Sequence, residues 1–151
     1  MLQGKKVIAV GERDGISGPA IAACAKAAGA DVVFVAPECF VCTAAGAMDL
    51  QSQEAILKAS QTHDKADLLV LLGSPDPESA TIAAETGVMG DPSYAGALAG
   101  AQLGLLTYHV LEEEVHADIP DDVWEEQIGV MADVLEADAL AETVAGFRNQ
   151  S

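Results

Sequence analysis

The chain has 151 residues, half of them hydrophobic, which suits a single compact domain (1–151) that buries its own core without disulfide staples. Its 24 acidic residues against 7 basic ones give a formal net charge of −17, which argues against nucleic acid and anionic membrane surfaces as partners. No run approaches the length of a membrane span and no apolar segment follows a basic start, so a cytoplasmic, reducing home is expected for the three cysteines.

Four short apolar runs punctuate the chain. The first, Lys5–Val10, lacks the alternation of a half-exposed strand and reads as a strand buried on both faces. It feeds the loop Gly11–Gly18, after which Gly18-Pro19 opens a helix over Ser17–Ala28 that Gly29 closes. Cys24 shares that helix's apolar stripe with Ile21, Ala25 and Ala28 and reads as a core residue. The second run, Asp31–Ala36, leads into a loop over Pro37–Ala47 that holds Cys39-Phe40-Val41-Cys42, and a less amphipathic helix is expected over Leu50–Ser60. The third, Asp67–Leu72, is followed by the loop Gly73–Pro77 and a helix over Glu78–Glu85, with part of Tyr94–Gln102 also patterned as helix. The fourth, Leu103–His109, ends on a histidine. Beyond it, Trp124, Ile128, Met131 and Leu135 form a helical stripe behind an Asp122/Glu125 capping box. Leu140, Val144 and Phe147 resume the spacing after a break.

This alternation predicts an α/β fold, a small three-layer sandwich with a mainly parallel sheet of about four strands, Rossmann-like or flavodoxin-like, in the order 2-1-3-4. Ligands in such folds gather at the carboxyl ends of the strands. The C-x-x-C pair falls there and is the leading chemical feature: if a helix begins near it, both sulfurs share one side of the first turn and can form a disulfide or attack one substrate. Inert structural thiols and a metal site are the competing readings; zinc would have to recruit His63, His109 or His116 from other segments. The glycine spacing of Gly11–Gly18 is wrong for a dinucleotide fingerprint, and no Lys-Ser/Thr completes a P-loop.

Among the cations, Lys5, Lys6, Lys26 and Lys65 are expected at the opposite edge, which leaves Arg13 to hold a carboxylate on the reactive side or, equally well, to pair with Glu12 or Asp14. His109 is placed to reach that side as an acid or base, whereas His63 and His116 read as surface residues. The acidic runs Glu112–Glu114, Asp121–Asp122 and Glu125–Glu126 read as a solvated face, with an acidic docking surface for protein partners as the alternative.

Several segments together resemble a known family. Gly11-Glu-Arg-Asp-Gly-Ile-Ser-Gly-Pro-Ala-Ile21, Glu38-Cys-Phe-Val-Cys-Thr-Ala-Ala-Gly-Ala-Met-Asp-Leu50, Ala84-Glu-Thr86, Gly90-Asp-Pro92 and Ala99-Gly-Ala-Gln-Leu-Gly104 are similar to protein A of the glycine/sarcosine/betaine reductase complex over nearly the whole chain. That family carries Cys-x-x-selenocysteine, and Cys42 stands at the selenocysteine position, so the chain is either a cysteine form of the selenoprotein or a sulfur-using relative. The resemblance implies a carrier role in reductive deamination to acetyl phosphate, with a substrate-specific protein B, protein C and thioredoxin as partners and no bound organic cofactor. It makes Cys42 the nucleophile and Cys39 the resolving residue. A thioredoxin-coupled C-x-x-C redox module without a carrier role is the alternative from another class.

Overall fold

A computed structural model describes residues 1–39, 50–90, 97–98 and 103–148, with the backbone alone for residues 37–39. Four parallel strands form one sheet: β1 (Lys6–Glu12), β2 (Asp31–Cys39), β3 (Leu68–Leu72) and β4 (Thr107–His109), in the order β2-β1-β3-β4. This is the expected small α/β sandwich and the expected strand order. The run Leu68-Leu-Val-Leu-Leu72 is buried at every position, as are Val7 to Val10, because helices cover both faces of a parallel sheet.

The helices α1 (Gly18–Ala27), α2 (Leu50–Thr62) and α3 (Pro77–Met89) follow the first three strands. Right-handed crossovers in this order put α1 on one face and α2 and α3 on the other. Ser17 caps α1, its Oγ accepting from Ala20 N at 3.3 Å, and Pro19 sits in the first turn. Helix α3 begins one turn-signal earlier than its apolar pattern suggests: Asp76 is the N-cap and accepts from Ser79 N at 2.8 Å, with Pro77 next. It runs on through Gly87 to Gly90, whose φ of 104° suits a residue without a side chain.

Two expectations are corrected at the carboxyl-terminal half. The fourth strand begins only at Thr107, because Gly104 takes φ +61° and Gly104 N and Leu105 N donate to Val88 O and Gly87 O at the end of α3 instead of joining the ladder. The stripe from Trp124 to Leu135 is divided at Ile128 into α5 (Asp121–Gln127) and α6 (Gly129–Val134), preceded by the short α4 (Glu113–His116). Pro120 takes the N-cap of α5, so Asp122 lies inside the first turn and no capping box forms; Asp121 and Asp122 instead meet the positive end of the helix dipole. Helix α7 (Ala137–Arg148) buries Leu140 and Val144 and packs on α3 and β4, while α5 packs on α1. The helix expected within Tyr94–Gln102 falls almost wholly outside the described residues. No helix among the described residues is long and apolar enough to cross a membrane.

Candidate functional site at the carboxyl edge of the sheet

The strand ends set four positions side by side. Cys39 closes β2, Glu12 closes β1, Gly73-Ser74 follows β3 and His109 closes β4. Glu12 and Cys39 are register partners across the β1–β2 ladder. Cys39 therefore ends a strand, longer than expected, rather than opening a helix, and Cys42 lies outside the described residues. Gly18 at the start of α1 approaches the backbone of Ala36 so closely that a Cβ would overlap it, which brings the helix N-terminus beside the exit of β2.

In this strand order the chain leaves β1 in one direction and returns past it in the other, so β1 and β3 flank the switch point where ligands of such folds bind. Here the two loops close on each other. Glu12 N donates to Ile16 O at 3.1 Å, Ile16 N to Gly73 O at 2.9 Å and Gly73 N to Val10 O at 3.0 Å. A Cβ at Gly15 or Gly73 would overlap the facing carbonyl, so these glycines serve loop-to-loop packing rather than a phosphate cradle.

Glu12 is the chemically unusual group of the edge. It is 8% exposed, and burial pushes its carboxyl up to about 7, with the hydroxyls of Ser74 and Ser79 favouring the ionised form and the charge of Asp76 opposing it. Ser74 Oγ is buried and completes no hydrogen bond of standard geometry among the described residues, although it is close enough to Glu12 to favour its anion. Ser79 Oγ is also shared with Asp76 Oδ1 at 2.9 Å. From sequence Glu12 is no more than a loop partner for Arg13. The available signal is an acid directly after the apolar buried run Val7–Val10 and Gly11.

His109 corrects an expectation. It is fully buried, its Nδ1 accepts from Leu111 N at 3.1 Å, and its Nε2 therefore carries the proton and donates to Ser74 O at 2.9 Å. Burial lowers its pKa to about 4, so it stays neutral with both nitrogens engaged and holds the Ser74 loop against β4 instead of exchanging protons. Glu112 was expected in a solvated run. It is 3% exposed, accepts from His109 N at 2.8 Å and meets Arg148 through two contacts of 2.7 Å. Glu113 and Glu114 are exposed as expected.

Arg13 is exposed in the β1–α1 loop next to Glu12, on the edge expected for it, while Lys5, Lys6 and Lys65 lie at the strand beginnings and Lys26 in the last turn of α1. Cys24 is a buried core residue whose thiol is pushed up to about 11 by burial. His63 is partly exposed, and His116, also partly exposed, stacks on Trp124 with ring centroids 3.6 Å apart. Among the described residues no group of three His, Cys, Asp or Glu side chains could hold a metal ion.

The model of the family described as glycine reductase complex selenoprotein A matches residues 2–148. The chain belongs to this family. It is 54% identical over 150 residues to glycine/sarcosine/betaine reductase complex component A of Carboxydothermus hydrogenoformans, spanning 99% of this chain and 96% of that one. The component A of Gottschalkia purinilytica is 51% identical, over 98% of this chain and 99% of its own. That of Treponema denticola is 46% identical over 99% and 95%. No solved structure matches at a significant level. In this member of the selenoprotein A family, the backbone of Cys39 at the end of β2 is the register partner of the buried Glu12 at the end of β1.

Proposed function

We propose that the protein is the redox-active carrier component of a glycine/sarcosine/betaine reductase complex, with residue 42 as nucleophile and Cys39 as resolving residue. The full-length similarity to component A proteins supports the complex, and the backbone position of Cys39 at the carboxyl edge supports the site. In this reading, a substrate-specific protein B presents activated substrate. The anion at position 42 attacks the α-carbon, forming a C–S bond in this chain or a C–Se bond in a selenocysteine form, while the C–N bond breaks and the amine leaves. Arg13 holds the substrate carboxylate.

The two-carbon group then passes to a thiol of protein C. The carbon–chalcogen bond breaks, the methylene carbon gains a proton and an electron pair and becomes methyl, and the carboxyl loses water in forming an acetyl thioester. Residue 42 and Cys39 supply those two electrons and end joined to each other. Inorganic phosphate then displaces the thiol of protein C from the acetyl group, giving acetyl phosphate, and thioredoxin reopens the bridge. No organic cofactor is bound in this scheme, and the cytoplasm keeps the pair reducible. A free thiol ionises near pH 8.5 and is a weaker nucleophile than a selenolate, so Cys42 gives slow turnover or none.

Intact-mass measurement tests the proposal. After incubation with protein B and glycine, a carboxymethyl adduct that maps to residue 42 is the expected result, with the selenocysteine form loading much faster than the Cys42 form. Loss of two hydrogens with no adduct in either form overturns the carrier role and leaves a redox module.

A further inference from the structure

Helix α6 carries the two most exposed large apolar side chains among the described residues: Val130 is 76% exposed and Val134 68%. They stand four residues apart on one face of the helix, outside the stripe of Ile128, Met131 and Leu135 that packs on the core. A β-branched residue is a poorer helix former than the Ala, Glu or Lys that ordinarily fills an exposed helical position. The fold itself therefore gains neither packing nor helix propensity from a valine at either place.

The surroundings of the two valines are of one sign. Glu126, Asp133, Glu136 and Asp138 are exposed close to them in sequence. A Cβ on Gly129 would come within 2.8 Å of Glu125 Oε2, so that carboxylate lies against the start of α6. Among the described residues none of these acids has an ion-pair partner. From Ala66 to Phe147 the chain has no Lys or Arg to supply one.

We infer that Val130 and Val134, with the carboxylates around them, form a docking face for a protein partner whose contact surface has an apolar centre and a rim of Lys and Arg. Resting on the reading of the chain as a carrier, the assignment makes this one face serve protein B and protein C, which a carrier meets in turn and never together. Charge sets the other occupants aside. A second copy would bring the same acids against these, and a net charge of −17 repels an anionic membrane or a nucleic acid. Two valines make a small apolar centre, suited to an interface at the low end of the size range and to quick release. The acids speed the encounter more than they prolong it.

The test is the kinetics of binding to immobilised protein B and, separately, to immobilised protein C, at about 20 mM and about 300 mM salt, between which surface charges become largely screened. The whole chain in its Cys42 form serves, because docking needs no group transfer. Val130→Ala with Val134→Ala shortens both side chains while improving helix propensity, so folding is spared. Dissociation of this pair from both partners should be faster by about tenfold. Asp133→Asn with Glu136→Gln should slow association severalfold at low salt, leave it unchanged at high salt and alter dissociation little. If the native chain binds neither protein, the carrier reading falls and this inference with it. If the native chain binds and the valine variant leaves either partner as fast as the native chain does, the shared face alone is overturned. A native dimer in sedimentation that the valine variant dissociates would give the face to a second copy and overturn it as well.

Discussion

At the amino-terminal edge of the sheet, Lys6 meets Asp31 at 2.7 Å with their side chains 35% and 63% exposed, and Lys5 Nζ donates to Ala66 O in open solvent. At the carboxyl edge three ionisable groups are withdrawn from water: Glu12 closes β1 among serine hydroxyls, Glu112 is locked to Arg148, and His109 is fully enclosed. The contrast follows from how each edge is covered. Lys6 and Asp31 stand where two strands begin and water reaches them, so screening limits what the pair can do. At the other edge the β1–α1 and β3–α3 loops bond to each other and cover the carboxyl beneath. Desolvation there converts ordinary side chains into groups whose protonation responds near neutral pH or does not respond at all. Chemistry belongs to the edge where the protein, rather than water, sets the electrostatics.

The largest expected effect tests that assignment of chemistry. Cys42→Ser should abolish carboxymethyl loading from protein B, because a serine alkoxide is inaccessible without a base, whereas selenocysteine at position 42 should raise activity greatly. Activity of the reconstituted complex, measured with the three forms side by side, checks both directions. Equal activity of the sulfur and selenium forms would place the limiting step elsewhere than at the nucleophile.

Next comes the cost of opening the enclosed edge. Arg148→Ala removes the cation that pairs with Glu112, its donation to Thr107 O at 3.1 Å and its placement 3.7 Å over the Tyr108 ring. It leaves a buried carboxylate unpaired, so the protein should lose about 3 kcal/mol of stability in urea titration. Adding Glu112→Gln to the same variant should recover part of that loss, since the stranded charge is then gone. A loss equal in both backgrounds would mean that packing on Tyr108, not charge, holds α7 to β4.

Glu12 distinguishes the edges by pH. Folding raises its carboxyl from about 4.5 to about 7, so the folded state binds the extra proton more tightly. The resulting stabilisation is complete below about pH 4.5 and is lost as pH rises through 7. Glu12→Gln cannot lose a proton. Relative to the parent it should gain about 3 kcal/mol between pH 4.5 and 8, read as the difference of two urea titrations at each pH. A constant difference across that range would show that Glu12 is not desolvated in solution.

Much of this fold was legible because its strands are runs such as Leu68–Leu72, which no other common element explains, and because glycine and proline mark the start of α1. The reach of the first two strands was not legible. Beyond Val10 and Ala36 the sequence turns to Gly11-Glu12 and Pro37-Glu38-Cys39, residues that look like loop, and only pairing between β1 and β2 extends them. Glu12 was hidden by that misplaced boundary. Glu112 was hidden differently: its partner Arg148 lies 36 residues away on α7, and a run of three acids gives no sign that one of them turns inward. His109 was rightly placed at the carboxyl edge, but burial, which decides its chemistry, depends on α7 and the Ser74 loop. The cysteine pair stood out by spacing alone, yet the place of Cys39 as the last residue of β2 did not.

Arg13 offers a finer comparison within the reactive edge. It is exposed where Glu12 beside it is not, so its effect should be confined to the charged group it binds. A bidentate contact with the carboxylate of an incoming substrate is worth roughly 1.5–3 kcal/mol, so Arg13→Ala should slow carboxymethyl loading by about tenfold or more. Bridge reduction by thioredoxin, which moves no carboxylate, should be nearly unchanged. Both rates are measured on one preparation. Equal slowing of the two would make Arg13 a structural residue of the loop.

The smallest effect belongs to the opposite edge, and its smallness is the point. Lys6 holds Asp31 at 2.7 Å, and that hydrogen bond, with the lysine charge, keeps the Asp31 carboxyl below its ordinary value. Both groups remain in water, where ordering two side chains offsets most of the attraction and salt screens what is left. The backbone needs neither of them, since Asp31 N already donates to Lys5 O at 2.8 Å and the β1–β2 ladder begins at that step. Lys6→Ala should therefore leave the urea midpoint, its pH dependence and the rate of bridge reduction unchanged, at low salt as at high. A change in the pH dependence comparable to that of Glu12→Gln would mean that burial is not what decides which of these groups couples folding to pH.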